Sequence, residues 1–206
     1  MKRIIKISLI LLLLGMAVIA AVPFLKEKRA EKKYENDFKN IQESVIEKKS
    51  DVNGLVKKNK DCIGYVEIPG TTISYPVMQT NKNPDFYLNH DFNRNYSFYG
   101  TPYLSAYCDV NKSDNLIIYG HNINGGKMFG ALEQYKDKEF FNKHRKIYFT
   151  TDKKMEYEVF AVMSVNIHEF EYWKFVMARD AKEYDEFVDK VEEHSLWRQR
   201  NKPKYG

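Results

Sequence analysis

Asn115-Leu116-Ile117-Ile118-Tyr119-Gly120-His121-Asn122 is the stretch from which the rest of the chain is read. The unbroken apolar run 116–119 predicts a buried strand. It closes on a glycine and then a histidine, where a rigid element hands over to a loop. Scaffolds present reactive groups at such strand ends, so His121 is a candidate catalytic residue. A single histidine there is more often a hydrogen-bonded structural residue, so its surroundings have to decide.

Outward from this strand the chain predicts many short strands. Residues 63–68 and 73–78 read as two, joined by the turn signal Pro69-Gly70-Thr71. Residues 81–95 are rich in Asn, Asp and Pro and read as loop, and 101–107 as a further strand. Gly125-Gly126 opens a loop before a short helix over 128–135. Residues 146–150 and 155–165 form a hairpin around Asp152-Lys153-Lys154. The last clear element is a helix over 180–196. Asp180 and Glu183 have capping-box spacing at its start, and Tyr184, Phe187, Val188 and Val191 make its apolar stripe. After Leu196 the residues read as a basic tail. The expected class is mainly β with added helices, a small barrel or sandwich.

The N-terminal side has a different character. Residues 7–24 are apolar except at Ser8 and Gly15. Eighteen helical residues span roughly 27 Å, near the thickness of a bilayer core. Lys2, Arg3 and Lys6 precede the run, which favours an N-terminus on the cytoplasmic side. A cleaved signal peptide ending near Val18-Ile19-Ala20 is the competing reading, but Pro23 and Phe24 continue the run past that point. Both readings export the domain. Residues 26–60 are charged and helical, with Tyr34, Phe38, Ile41 and Val45 on one stripe and a break expected at Asn53-Gly54. The expected layout is a membrane anchor over 1–25, a helical stalk over 26–60 and a folded domain over 61–206.

The net charge of +5 does not signal nucleic-acid binding. Residues 1–33 hold eight Lys/Arg and two Glu, so the other 173 residues sum to −1. A nucleic-acid partner would need its basic face on the domain itself. Cys62 and Cys108 are the two cysteines, read as isolated thiols, with a disulfide between them as the lesser alternative. The five histidines are too scattered for a zinc site, so no metal and no cofactor is expected.

Several segments together resemble class B sortases. Tyr119-Gly120-His121-Asn122, followed by Gly126-Lys127-Met128-Phe129-Gly130 and Leu132-Glu133-Gln134-Tyr135, is similar to the histidine-bearing stretch of that family. Gly64-Tyr65-Val66-Glu67-Ile68-Pro69-Gly70-Thr71 resembles its first strand and turn. Tyr75-Pro76-Val77-Met78-Gln79, Tyr87-Leu88-Asn89-His90-Asp91-Phe92 and Gly100-Thr101-Pro102-Tyr103-Leu104 resemble the segments that follow. The helix over 180–196 resembles the extra helix of class B. The similarity runs over roughly 30–205.

The resemblance implies a sortase-like β-barrel on an N-terminal helical stalk, anchored by a single span in the membrane of a Gram-positive cell, with its domain outside. It implies a cysteine transpeptidase. A thiolate attacks the threonine carbonyl of a C-terminal sorting motif in a surface protein, and a peptidoglycan or pilin amine resolves the thioacyl-enzyme. A histidine moves the protons, and an arginine stabilises the oxyanion. His121 takes the histidine role. The resemblance places Leu88, Tyr172 and Trp173 along the substrate groove. The family carries its cysteine and arginine on strands after the long helix, and these 206 residues end at Lys202-Pro203-Lys204-Tyr205-Gly206, before such strands. Cys62 and Cys108 do not match the nucleophile position, and Arg179 and Arg198 read as surface charges. The barrel is therefore expected to be incomplete at its C-terminal side and these residues alone inactive, a membrane-tethered remnant or binding protein being the alternative.

Overall fold

The structure, a computed structural model, describes residues 2–47 and 52–205, and leaves out the side chains of residues 2–15, 17, 18 and 44–47. The chain divides into two compact units, Met1–Ile41 and Gln42–Gly206.

The first unit is helical. Helix α1 (Lys2–Glu47) takes in the whole apolar run and has Pro23 inside it. Among the described residues no helix is long and apolar enough to cross a membrane. The side chains of 7–15, 17 and 18, most of the expected span, lie outside them. Tyr34, Phe38 and Ile41 are buried between exposed neighbours, and the rings of Tyr34 and Phe38 pack 4.9 Å apart. The Val45 side chain, the fourth residue of the expected stripe, lies outside the described residues.

The second unit begins at the end of α1, continues into α2 (Val52–Lys58) and then becomes sheet. Asn53-Gly54 does not break the helix as expected. Both residues lie inside α2, which buries Val52 and Leu55 and so outweighs the local cost of the glycine. Strands β1 (Cys62–Glu67) and β2 (Ser74–Met78) form an antiparallel pair. Strand β3 (Tyr103–Leu104) runs parallel to β2, and β4 (Ile118–Tyr119) antiparallel to β3. A small ribbon of β5 (Asn122–Ile123) and β6 (Lys127–Met128) follows, then a 3-10 segment over Phe129–Lys136 and α3 (Lys138–Lys143). Strand β7 (Lys146–Thr150) pairs with both β1 and β8 (Lys154–Glu158). The sheet order is β4-β3-β2-β1-β7-β8, a mixed sheet forming a half-barrel. In and beside its strands Tyr65, Val77, Met78, Leu104, Ile117 and Phe149 are all buried. Each such side chain contributes about 1.5–3 kcal/mol of burial.

Several strands are shorter than their apolar runs, for identifiable reasons. Residue 102 is proline and has no N–H to give, so β3 starts at Tyr103. Asn115 N–H is taken by Val176 O at 3.0 Å, and Ile117 N–H points at the Cys108 sulfur, which trims the start of β4. The predicted strand over 155–165 splits after Glu158. Val159 N–H still reaches Arg145 O at 2.7 Å, and the chain then switches partners. The new pair is β9 (Ala161–Met163) with β10 (Ser195–Arg198), two strands of one antiparallel ribbon. Residues 195–198 are therefore strand, where the sequence predicts the last residues of the helix over 180–196 and the start of the basic tail.

Between β9 and β10 lies α4 (Ala181–Glu193), as expected over 180–196. Asp180 caps it by accepting the Glu183 N–H at 2.9 Å. The reciprocal half of the box is displaced by one residue, because the Glu183 carboxylate accepts from Arg179 N–H and Nε instead. Arg179 holds that carboxyl below the usual range.

Candidate active site

His121 stands between β4 and β5, where glycine is required just before it. A side chain at Gly120 would meet the Phe129 ring at 2.7 Å, and the backbone N–H of Phe129 donates to His121 O at 2.9 Å. The histidine is thus pinned from below by the 3-10 segment that follows the ribbon. Its ring is half-buried, and its Nε2–H donates to the carbonyl oxygen of Leu88 at 2.8 Å.

Leu88 ends a one-turn 3-10 helix, Phe86–Leu88, in the loop expected to wall the groove. Gly100, at φ +60°, crosses directly over it. A side chain there would lie 2.4 Å from Leu88 O and 2.6 Å from Tyr87 O, so the close approach demands glycine. Beneath the loop, the buried Tyr87 hydroxyl donates to Asp61 at 2.8 Å and accepts from Asn59 Nδ2 at 2.8 Å. Burial comes first among the causes that push the Tyr87 phenol up to about 12. The Arg94 guanidinium pairs with the same Asp61 carboxylate and lies over the Phe86 ring. On the solvent side, Phe98 is 66% exposed and its ring lies 6.5 Å from that of His121.

The other expected wall arrives from the segment before α4. Tyr172 and Trp173 lie in a one-turn 3-10 helix, both half-buried, with rings 5.9 Å apart edge to face. The segment docks on the start of the histidine strand. Asn115 Nδ2 donates to Phe175 O at 2.8 Å, and Ala178 N–H donates to Asp114 at 2.8 Å. Burial, and after it the neighbouring Tyr172 phenol, push the Tyr119 phenol up. Tyr172 therefore approaches Tyr119, two residues before His121, while Trp173 joins through Tyr172. The structure brings Leu88 directly onto His121, Tyr172 to the strand that carries it, and Trp173 at one remove.

Neither cysteine has nucleophile geometry. Both are free and buried, and no disulfide joins them. Cys62 donates to Gly64 O, and burial pushes its thiol up to about 12. Cys108 donates to Asn115 O at 3.3 Å while its sulfur accepts the Ile117 N–H. Their bonds are those of small core residues. Arg179 and Arg198 pair with Glu183 and Glu192 on the surface. Sequence reading passed over Phe98, Asn59 and Asp61. The first lies in a loop without periodicity, and the others carry no motif.

Comparison with known proteins places the fold in a family. The family described as Sortase domain matches residues 66–192. Sortase B of Staphylococcus aureus is 28% identical over 205 residues, covering 95% of this chain and 83% of that protein. Sortase B of Listeria monocytogenes is 30% identical over 154 residues, covering 73% of this chain and 61% of that protein. A solved Staphylococcus aureus sortase B–substrate complex aligns at a TM-score of 0.72 with 27% identity, covering 87% of this chain and 83% of that one. The half-barrel with its histidine at the end of β4, the helix inserted before β10 and these matches have one common answer: the chain belongs to the sortases, cysteine transpeptidases of the cell surface, and within them to class B.

Proposed function

We propose that this chain serves in sorting transpeptidation, with His121 as the general acid and base. It would bind the C-terminal sorting motif of a surface protein in the groove beside Leu88, Tyr172 and Trp173. In the family's reaction a thiolate adds to the threonine carbonyl, and the departing amine takes a proton from the histidine. An amine of peptidoglycan or a pilin then returns a proton to the histidine as it displaces the thiol. The observation that carries the reading is the hydrogen bond from His121 to Leu88 O, which ties the acid/base group to the groove wall. The similar Staphylococcus aureus structure is of a complex with substrate, which supports a peptide as ligand. The apolar run over 7–24 supports attachment to the membrane by one span, with 26–60 as a stalk and 61–206 facing outward.

One observation favours a second reading for these 206 residues taken alone. Both sulfurs are buried and tied to backbone groups. Without a free thiolate the chain binds a sorting peptide and leaves it intact. Intact-mass spectrometry after incubation with a class B sorting peptide, alongside a binding titration, tests both readings. Binding without a mass increase is expected. A thioacyl adduct on Cys62 or Cys108 would refute the second reading, and failure to bind would refute the groove.

A further inference from the structure

The carbonyl of Leu88 can only accept a hydrogen bond, so its contact with His121 dictates which ring nitrogen carries hydrogen. A carbonyl on a surface loop would be a poor instrument for this, because loops shift. This one is held from three directions. Gly100 packs against it from above, and the Thr101 N–H donates to Tyr87 O at 2.9 Å. From below, the Tyr87 side chain runs into the interior, 1% exposed, and its hydroxyl is clamped between Asn59 and Asp61. Asn59 is itself buried, and its Nδ2 also donates to Phe92 O at 2.6 Å, farther along the same loop. A buried hydroxyl with both a donor and an acceptor has one orientation. The two residues that fix it come from the turn between α2 and β1, remote in sequence from the histidine.

We propose that the Asn59–Tyr87–Asp61 cluster is the positioning element of the site, holding the Leu88 carbonyl so that His121 Nε2 keeps its hydrogen and Nδ1 does the proton exchange. The proposal rests on the reading of His121 as acid and base. Its chemical content is a division of labour between the two nitrogens. Nδ1 releases its proton to the departing amine nitrogen and regains one from the incoming amine. Nε2–H stays on the Leu88 oxygen through both steps, so the ring does not turn between them. Asn59, Tyr87 and Asp61 touch no reacting atom and act through the carbonyl alone.

The test reads the histidine rather than the turnover. Long-range proton–nitrogen correlation spectra of the full chain in detergent micelles report which nitrogen of neutral His121 is protonated. The wild type is expected to show Nε2–H, with Nδ1 as the lone-pair nitrogen. Tyr87→Phe keeps the ring and its packing but removes the hydroxyl. The preference should then fall by about fivefold, roughly the weight of one hydrogen bond. Gly100→Ala displaces the carbonyl directly and should mix the tautomers as well. Nδ1–H in the wild type would overturn the proposal whether or not either variant folds. So would a folded Tyr87→Phe and a folded Gly100→Ala that both leave the wild-type tautomer intact. A separate outcome bears on the underlying reading. If the tautomers respond as expected but His121→Gln leaves transpeptidation by an active class B relative carrying this loop unchanged, the positioning stands and the catalytic role falls.

Discussion

The rings of Phe98 and His121 lie 6.5 Å apart and within 8° of parallel. Phe98 is a large apolar side chain with most of its surface in water, on a loop beside the His121 imidazole. Such a residue contributes little to folding, and its removal should leave stability within about 0.5 kcal/mol. If it forms part of the groove rim, it contributes instead when a peptide lies against it. Phe98→Ala is therefore expected to weaken sorting-peptide binding by about threefold to tenfold, the range of a single aromatic contact. Calorimetric titration measures the affinity and a thermal melt the stability. A lower melting temperature with unchanged affinity would make Phe98 a structural residue.

The two thiols should be silent in the folded protein. Cys62 is 2% exposed and Cys108 5%, and both are bonded to backbone groups. A chromogenic disulfide reagent at pH 8 should release no more than a trace of signal under native conditions and the full equivalent of both thiols in denaturant. Rapid native labelling of Cys108, the cysteine nearer the histidine strand in sequence, would reopen it as a nucleophile.

How much of this was legible beforehand differs between the barrel and its site. The strands and the helix over 180–196 follow from apolar period and capping, and Asp180 does accept the Glu183 N–H as that spacing implies. The strand over 195–198 was not legible. Its burial alternates only weakly, and it exists because β9 offers an edge after Val159 turns away. His121 stood out because a glycine and a histidine closed an apolar run. Leu88 was placed by family resemblance as a side chain lining a groove, whereas its contact with His121 is made by the backbone carbonyl, which no side-chain pattern reports. Asn59 and Asp61 were invisible for a related reason. Each is an ordinary turn residue until the fold sets Tyr87 between them.

The second wall of the proposed groove should depend on two residues at the start of the histidine strand. Asp114 receives the Ala178 N–H and Asn115 Nδ2 reaches Phe175 O, both at 2.8 Å. With these gone, the segment carrying Tyr172 and Trp173 loses two ties to the sheet and keeps the backbone bond from Asn115 N–H to Val176 O, while α4 keeps its cap. The double variant Asp114→Ala, Asn115→Ala should be destabilised by about 1–3 kcal/mol. It should also become sensitive to limited proteolysis within 166–178 and lose affinity for sorting peptide. Cleavage elsewhere, with 166–178 still protected, would count against this account of the wall.

Cys62 should make the fold sensitive to alkali. Its ordinary thiol value is 9.0, and burial pushes it up to about 12 in the folded protein. Folding thus favours the protonated thiol, and the unfolded chain loses that proton at lower pH. The contribution to stability is complete below pH 9 and is lost progressively between about pH 9 and pH 12. At pH 10 the loss attributable to this one group is on the order of 1 kcal/mol. The buried phenols of Tyr65, Tyr87 and Tyr135, each pushed up to about 12, drive stability in the same direction. They are common to the wild type and a Cys62→Ala variant, so the difference between the two isolates the thiol. Urea unfolding of the 42–206 unit at pH 8 and pH 10 makes the comparison, provided that unit alone melts cooperatively; otherwise the full chain is used. The variant should be the less stable protein at pH 8, because a small cavity replaces the sulfur. The gap between the two should narrow by about 1 kcal/mol at pH 10. A gap that stays constant across this range would mean that the Cys62 thiol ionises in the folded protein as readily as it does in water.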